Sequence, residues 1–547
     1  MNKSALQVAR ASYQPKVPAS ICGATKIVEG KATESVADQA DIKKLFPNTY
    51  GMPIVTFEKG EAAKSAEAIN VGVILSGGQA PGGHNVISGI FDGIKAQNPN
   101  SKLYGFLGGP SGLVDHKYIE LTSDIIDEYR NTGGFDIIGS GRTKLEEVEQ
   151  FDKGLEICKK LNIKAIIIIG GDDSNTNACV LAEYYLAKNA GVQVIGCPKT
   201  IDGDLKNEMI ETSFGFDTAT KVYSEVIGNI ERDANSAKKY WHFIKLMGRS
   251  ASHVTLEAAL QTQPNVTLIG EEVEAKNQTL DDVVTYIAQV VANRAAKGLN
   301  FGTVLVPEGL IEFIPAIKKL ISELNDMLAA NQAEFDKVAA EDKIDYVVKH
   351  LSAENAALFK SLPTAVSTQL ALERDPHGNV QVSLIETEQL LAEMVAKKLA
   401  AWKKEGKFVG KFATQHHFFG YEGRCAAPSN FDADYCYSLG RVAALLIASG
   451  KTGYMSSVRN TTKPAAEWLA GGIPITAMMN MEKRNGKMKP VIQKALVKLD
   501  GGPFKFFASK RDEWAIETAY VYPGPIQYFG PSEVADQTTK TLQLEHK

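Results

Sequence analysis

From residue 70 onward one unit recurs along the chain: a short aliphatic run, then Gly or Pro with polar residues, then an amphipathic stretch at helical spacing. The runs are VGVILS (71–76), KLYGFL (102–107), AIIIIG (165–170), VQVIGC (192–197), WHFIKLM (241–247), NVTLIG (265–270) and GTVLVP (302–307). This alternation predicts parallel strands joined by helices, an α/β fold. Ligands of open parallel sheets lie outside the carboxyl ends of the strands, so chemistry is expected in the turns that follow these runs.

With 547 residues, 44% of them apolar, the chain exceeds the roughly 250–300 residues that one core organises, and at least two domains are expected. A formal charge of −4 leaves no electrostatic footprint for nucleic acid or an anionic membrane, so an anionic ligand has to be held by local cations. Six cysteines without a CxxC pair suggest neither a disulfide framework nor a zinc site, but reduced thiols in a cytoplasmic protein. No apolar run approaches the ~18–20 residues that span a bilayer. Residues 1–28 lack Asp and Glu, yet their single Arg and two prolines read as an extended arm rather than a transit peptide.

Between about Leu310 and Lys407 strand signals nearly vanish in favour of Ala, Glu, Lys and Leu at helical spacing, which predicts a mostly helical insertion. Within it His377-Gly378-Asn379 suits a short hairpin turn. The α/β texture returns at FATQHHFFGYEGR and a helix is expected over 435–450. Beyond about Gly530 the chain is polar and expected to be loosely held.

Each turn carries residues with two readings. GGQAPGGHN (77–85) frees backbone N–H groups to meet an anion at a helix start, though a tight βα turn needs the same glycines without any ligand. It is not a Walker A loop: the chain's GK[ST], Gly450-Lys451-Thr452, has Leu445 where that loop requires glycine. In GGDDS (170–174) Asp172 stands where a carboxylate can hold Mg²⁺ against phosphates, while Asp173 or Ser174 is also fit to cap the following helix. CPKTIDGDLKN (197–207) sets Lys199, Thr200, Asp202 and Asp204 within six residues. That is either an Asp-Gly turn or a base for a hydroxyl proton beside a cation for the transferred group. Arg249 in MGRSASH suits a phosphate or carboxylate. Glu308 after a further strand suits sugar hydroxyls, and Tyr421 and Arg424 share the loop FFGYEGRCAAPSNFD.

Taken in order, GGQAPGGHN, GSGRTK (139–144), GGDDS, PKTIDGDL, MGRSASH, PEG and GYEGR resemble the phosphofructokinase family, over about residues 70–310 and again from about 411. The arm YQPKVP (13–18) and the long insertion are similar to its long, pyrophosphate-dependent members. The resemblance implies two Rossmann-like α/β/α domains with mostly parallel sheets and the active site in the cleft between them. The expected division is an N-terminal arm (1–69), a phosphate-donor domain (70–215), a sugar-phosphate domain (216–310 with 411–475), the mostly helical insertion (311–410) and a C-terminal segment packing back on the core (476–547). It also implies reversible phosphorylation of fructose 6-phosphate on its 1-hydroxyl by pyrophosphate, with Mg²⁺, in a homo-oligomer, a dimer being favoured.

By the same resemblance Asp202 is the base and Asp172 the magnesium ligand. Thr200, Lys199 and Arg249 lie near the transferred group, and Gly77, Gly78, Arg142, Asp173 and Ser174 with Lys199 form the donor site. Met247, Gly248, Arg249, Glu308, Tyr421 and Arg424, with Thr200, Asp202 and Asp204, form the sugar-phosphate site. Where ATP-using members have glycine this chain has Asp173 and again Lys199, and Tyr421 stands where they usually have His. An aspartate at 173 should fill the path of a nucleotide's α-phosphate, which disfavours an ATP-dependent enzyme. Retention of Asp172, Thr200, Asp202 and Arg249 disfavours a non-catalytic regulatory subunit. The MGR, PEG and GYEGR elements disfavour a lipid or NAD kinase.

Overall fold

The structure, a computed structural model, describes residues 5–61, 67–373, 380, 384–484, 487–526 and 536–547. Strands β1 (Thr25–Ala32) and β2 (Pro53–Lys59) precede the repeating unit. Its first half forms β3 (Asn70–Leu75), β4 (Lys102–Phe106), β5 (Tyr118–Glu120), β6 (Ile163–Gly170), β7 (Gln193–Thr200) and the two-residue β8 (Phe214–Gly215). Its second half forms β9 (Tyr240–Leu246), β10 (Val266–Thr267), β11 (Phe301–Pro307) and β12 (Thr414–Phe419). After the long helix Asn430–Ala448 come β13 (Tyr454–Arg459), β14 (Leu469–Pro474) and a hairpin of β15 (Met479–Arg484) and β16 (Lys487–Ile492).

A ten-stranded sheet runs β1-β2-β14-β13-β7-β6-β3-β4-β5, with β8 on β7. Its centre, β13 through β4, is parallel, and β14, β5 and the β1–β2 pair are antiparallel. The four isoleucines of β6 explain why this strand lies in the middle. Ile167 and Ile169 join the core under one face, Ile166 and Ile168 the core under the other, and all four are buried. Each such burial stabilises by about 1.5–3 kcal/mol. The second sheet, β10-β11-β9-β12, is parallel throughout.

Five helices of the insertion, Pro315–Phe335, Lys343–His350, Ala353–Ser361, Thr364–Leu372 and Thr387–Lys404, share one core with Trp241, Phe243, Val304 and Val306 of the second sheet. The insertion is fastened to β9 by a buried cation. Lys245 Nζ donates to the Ile385 carbonyl at 2.9 Å and pairs with Glu388 at 3.4 Å, both side chains being less than a tenth exposed. The hairpin expected at His377-Gly378-Asn379 lies outside the described residues.

Two expectations are corrected. Residues 454–474 and the helix before them do not extend the sugar-phosphate unit. β13 pairs with β7 and β14 with β2, and helix Asn430–Ala448 packs on helix Gly83–Gln97, all in the first sheet's unit. An apolar strand signal states burial but not which neighbour supplies it. The far C-terminus is not loose where it is described: helix Lys540–Glu545 buries Leu542, and Glu257 accepts from the Lys540 and Thr541 N–H groups at 2.9 Å. Among the described residues no helix is long and apolar enough to cross a membrane.

Candidate active site

In the first sheet the chain leaves β3 for β4 on one side and leaves β6 for β7 on the other, so the ends of β3 and β6 part and open a crevice. Ser174 Oγ donates to Ser76 Oγ across it at 2.8 Å. The Gly77 N–H donates to the Gly141 carbonyl at 2.8 Å, which draws the loop carrying Arg142 to the same edge. The second sheet repeats the arrangement, with β11 on one side of β9 and β12 on the other. There the Met247 N–H donates to the Phe419 carbonyl at 3.0 Å. The two crevices face each other over one cavity of about 300 Å³. It collects every residue named above for the site apart from Gly248, which stands behind Glu308.

At β3, Gly77 has φ +85°, and a β-carbon there would lie 3.3 Å from Lys199 Nζ. One on Gly78 would stand 2.7 Å from Arg424 Nη1. Side chains at these positions would therefore displace the cations, which is a physical need for the glycine pair. Arg424, from the second unit, reaches over the turn to donate to the Gln79 carbonyl at 3.1 Å.

At β6, helix Asp172–Ala187 begins with Gly171 as its N-cap and no side-chain cap. The capping reading of Asp173 and Ser174 is thereby set aside. Asp172 Oδ2 is buried without a hydrogen-bond partner, and its neighbours include Lys494 Nζ at 3.7 Å. Asp173 instead pairs with Arg484 at 2.5 Å. Burial pushes the Asp173 carboxyl up, but Arg484, with Lys144 and Lys494, outweighs it and holds the group below the usual carboxylate range.

At β7, Lys199 is buried, and burial, with Arg424 beside it, brings its ammonium down to about 8 against the pull of Asp202 and Asp172. The Asp202 N–H donates to Thr200 Oγ1 at 3.0 Å, while Asp202 Oδ1 is buried and without a donor. Asp204 is pushed up by burial and by Asp202, with Lys494 opposing at 3.7 Å.

In the second unit Gly248, at φ +131°, turns its N–H onto Glu308 Oε2 at 2.9 Å. Burial and Asp202 push the Glu308 carboxyl up. Arg249 lines the cavity, and Tyr421, 74% exposed, stands at its rim. Lys238 and Lys239 precede the amino end of β9, opposite the end that meets the cavity.

Sequence reasoning missed Lys494, Arg484, Lys144 and Ser250. Arg484 ends β15 and Lys494 follows β16, whose hairpin packs on helix Asp172–Ala187. Asn485-Gly486 between two strand-like runs was a readable hairpin signal, but nothing local says where that hairpin docks.

The donors fit a magnesium ion. Asp172 offers an orphaned buried oxygen. A magnesium ion takes one or two carboxylates and completes its shell with water and phosphate oxygens. Chemically, six cations facing five acids can hold polyanions, and Asp202 can accept a hydroxyl proton.

A protein from Porphyromonas gingivalis named pyrophosphate–fructose 6-phosphate 1-phosphotransferase is 66% identical over 545 residues, covering 100% of this chain and 99% of its own. One of the same name from Treponema pallidum is 54% identical over 558 residues, covering 100% and 97%. The crystal structure of a pyrophosphate-dependent phosphofructokinase from Marinobacter aquaeolei has the same fold at a TM-score of 0.52 and 15% identity, with 86% of this chain and 97% of that one covered. The profile described as phosphofructokinase matches residues 70–447, more than half the chain, and the chain belongs to that family.

Proposed function

We propose that the chain phosphorylates fructose 6-phosphate on its 1-hydroxyl with inorganic pyrophosphate, giving fructose 1,6-bisphosphate and phosphate in a reversible, Mg²⁺-dependent reaction. The observation that carries this is the pairing of two strand-end crevices over one cavity, with Asp173 and Lys199 at its donor half. The names of full-length relatives support the same substrates.

Asp202 takes the 1-hydroxyl proton with its buried oxygen that lacks a donor. Asp172 would hold Mg²⁺, which would supply charge neutralisation to phosphate oxygens there. Lys199, Thr200 and Arg249 steady the transferred group, and Gly77, Gly78, Arg142 and Ser174 cradle the rest of the donor. Met247, Gly248, Glu308, Tyr421, Arg424 and Asp204 hold the sugar phosphate. Lys199 is charged below about pH 8, as this role needs. A homo-oligomer, a dimer above all, in a cytoplasmic compartment completes the reading, and six free cysteines support a reducing environment.

The test is a donor assay with pyrophosphate and ATP compared at fixed fructose 6-phosphate and Mg²⁺. Turnover with pyrophosphate and little with ATP is expected. Equal use of ATP removes the donor assignment, and no turnover with either favours a regulatory subunit.

A further inference from the structure

Residues 492–497 run from the last residue of the β15–β16 hairpin and cross the cleft. The Ile492 N–H donates to Thr176 Oγ1 at 3.3 Å, on the helix that begins with Asp172. The Ala495 N–H donates to the Asp204 carbonyl at 2.7 Å, and His253 Nε2 donates to the Ala495 carbonyl at 2.8 Å. The Val497 N–H donates to Glu271 Oε1 at 3.0 Å. This strap thus ties the donor-side helix, the loop bearing Asp202 and the second unit together, and Lys494 lies at its middle, lining the cavity.

The Lys494 ammonium stands 3.7 Å from both Asp172 and Asp204. Charge-assisted N–H···O bonds are about 2.7–2.9 Å long, so neither carboxylate is directly engaged. Its described hydrogen bond goes instead to Ser250 Oγ at 2.7 Å. An ammonium has three donors, so among the described residues two are left for something in the cavity. Asp172 Oδ2, beside it, is equally without a hydrogen bond although buried. A lysine placed only to neutralise the acids would close onto them, whereas this one stands back from a gap that an acceptor-rich ligand can enter.

We propose that Lys494 is a donor-binding residue, which grips pyrophosphate oxygens beside the metal held by Asp172. This deepens the pyrophosphate reading above and rests on it. The strap then brings to the donor end a cation that no motif of the sequence contains, and couples its position to the Asp204 loop.

The test is calorimetric titration of wild type, Lys494→Met and Lys494→Arg with Mg-pyrophosphate and, separately, fructose 6-phosphate. For Lys494→Met the pyrophosphate Kd is expected to rise about 10-fold or more, as loss of a charge-assisted contact predicts. The sugar Kd should hold within about 2-fold, the span of ordinary context effects, and Lys494→Arg should keep most of the donor affinity. Unchanged pyrophosphate affinity in Lys494→Met, or an equal loss for the sugar, overturns the proposal. A wild type that binds no pyrophosphate instead overturns the reading beneath it. If Lys494→Met does not fold, acetylation of the wild-type protein read by mass spectrometry carries the test. Mg-pyrophosphate should protect Lys494 and fructose 6-phosphate should not, and equal or absent protection rejects the role.

Discussion

Asp172 and Asp173 are neighbours in opposite circumstances: one presents an oxygen with no partner, the other is clamped by Arg484. The clamp fixes Asp173, and on the proposed reading its side chain would stand in the way of a donor longer than pyrophosphate. Asp173→Gly should raise kcat/KM with ATP at least ~10-fold, about 1.4 kcal/mol, because it removes the obstacle and frees Arg484 for a further phosphate. Lys199→Gly should mainly cripple the pyrophosphate reaction. Kinetics with both donors decide this, and an unchanged ATP rate in Asp173→Gly ends the steric account. Asp202→Asn keeps size and polarity, so folding and sugar KM should hold while kcat falls about 10²–10⁴-fold, the usual effect of losing a general base. Lys199 also sets a pH limit. Its ammonium is depressed to about 8, so it is charged below that pH and neutral above. The kcat/KM profile for pyrophosphate, which reports the free enzyme, should fall as pH rises through about 8. Bound phosphates favour the charged form, so the same limb in kcat should lie at higher pH. Coincident limbs would remove Lys199 from the donor contact.

Among the elements, the insertion sends no residue of its described part to the cavity lining, yet it is pinned behind β9 by Lys245 and Glu388. Lys245 lies two residues before Met247, so the pin also steadies the strand that presents the Gly248 turn to the cavity. Lys245→Met leaves a buried carboxylate alone and should destabilise by about 3–5 kcal/mol. Adding Glu388→Leu should recover most of the loss, as chemical denaturation of the single and double variants would reveal. Motifs such as PKTIDGDL were legible because strand, turn and site residues are consecutive, and β3, β6, β7, β9 and β11 fall within a few residues of their apolar runs. Lys494 and Arg484 were not, since each acts on residues about 300 positions away through the docking of a hairpin. The sheet membership of β13 and β14 was illegible for the same reason: apolar alternation says that a strand is buried, not between which partners.

For the whole molecule, the cavity's walls belong to two sheets, so ligands that fill it bind across the cleft. Saturation with fructose 6-phosphate, at about 100 times its Kd, should stabilise the fold by about 2.7 kcal/mol, read as a rise in Tm. Arg424 spans the cleft to the Gln79 carbonyl, and Arg424→Ala should raise the sugar KM and shrink that rise while pyrophosphate still protects. An unaltered sugar response would place Arg424 outside the site.

The order of the first sheet has a further consequence, for the moment of synthesis. β2 pairs with β1 and β14, and β14 leaves the ribosome roughly 20–80 s after β2 at ~5–20 residues per second. Through that interval the hairpin at the start of the chain has an unfilled edge, while the second sheet and its insertion can already close on themselves. The half of the enzyme made first is therefore the half completed last, and a newly made chain depends on whatever shields that edge from pairing with a stranger.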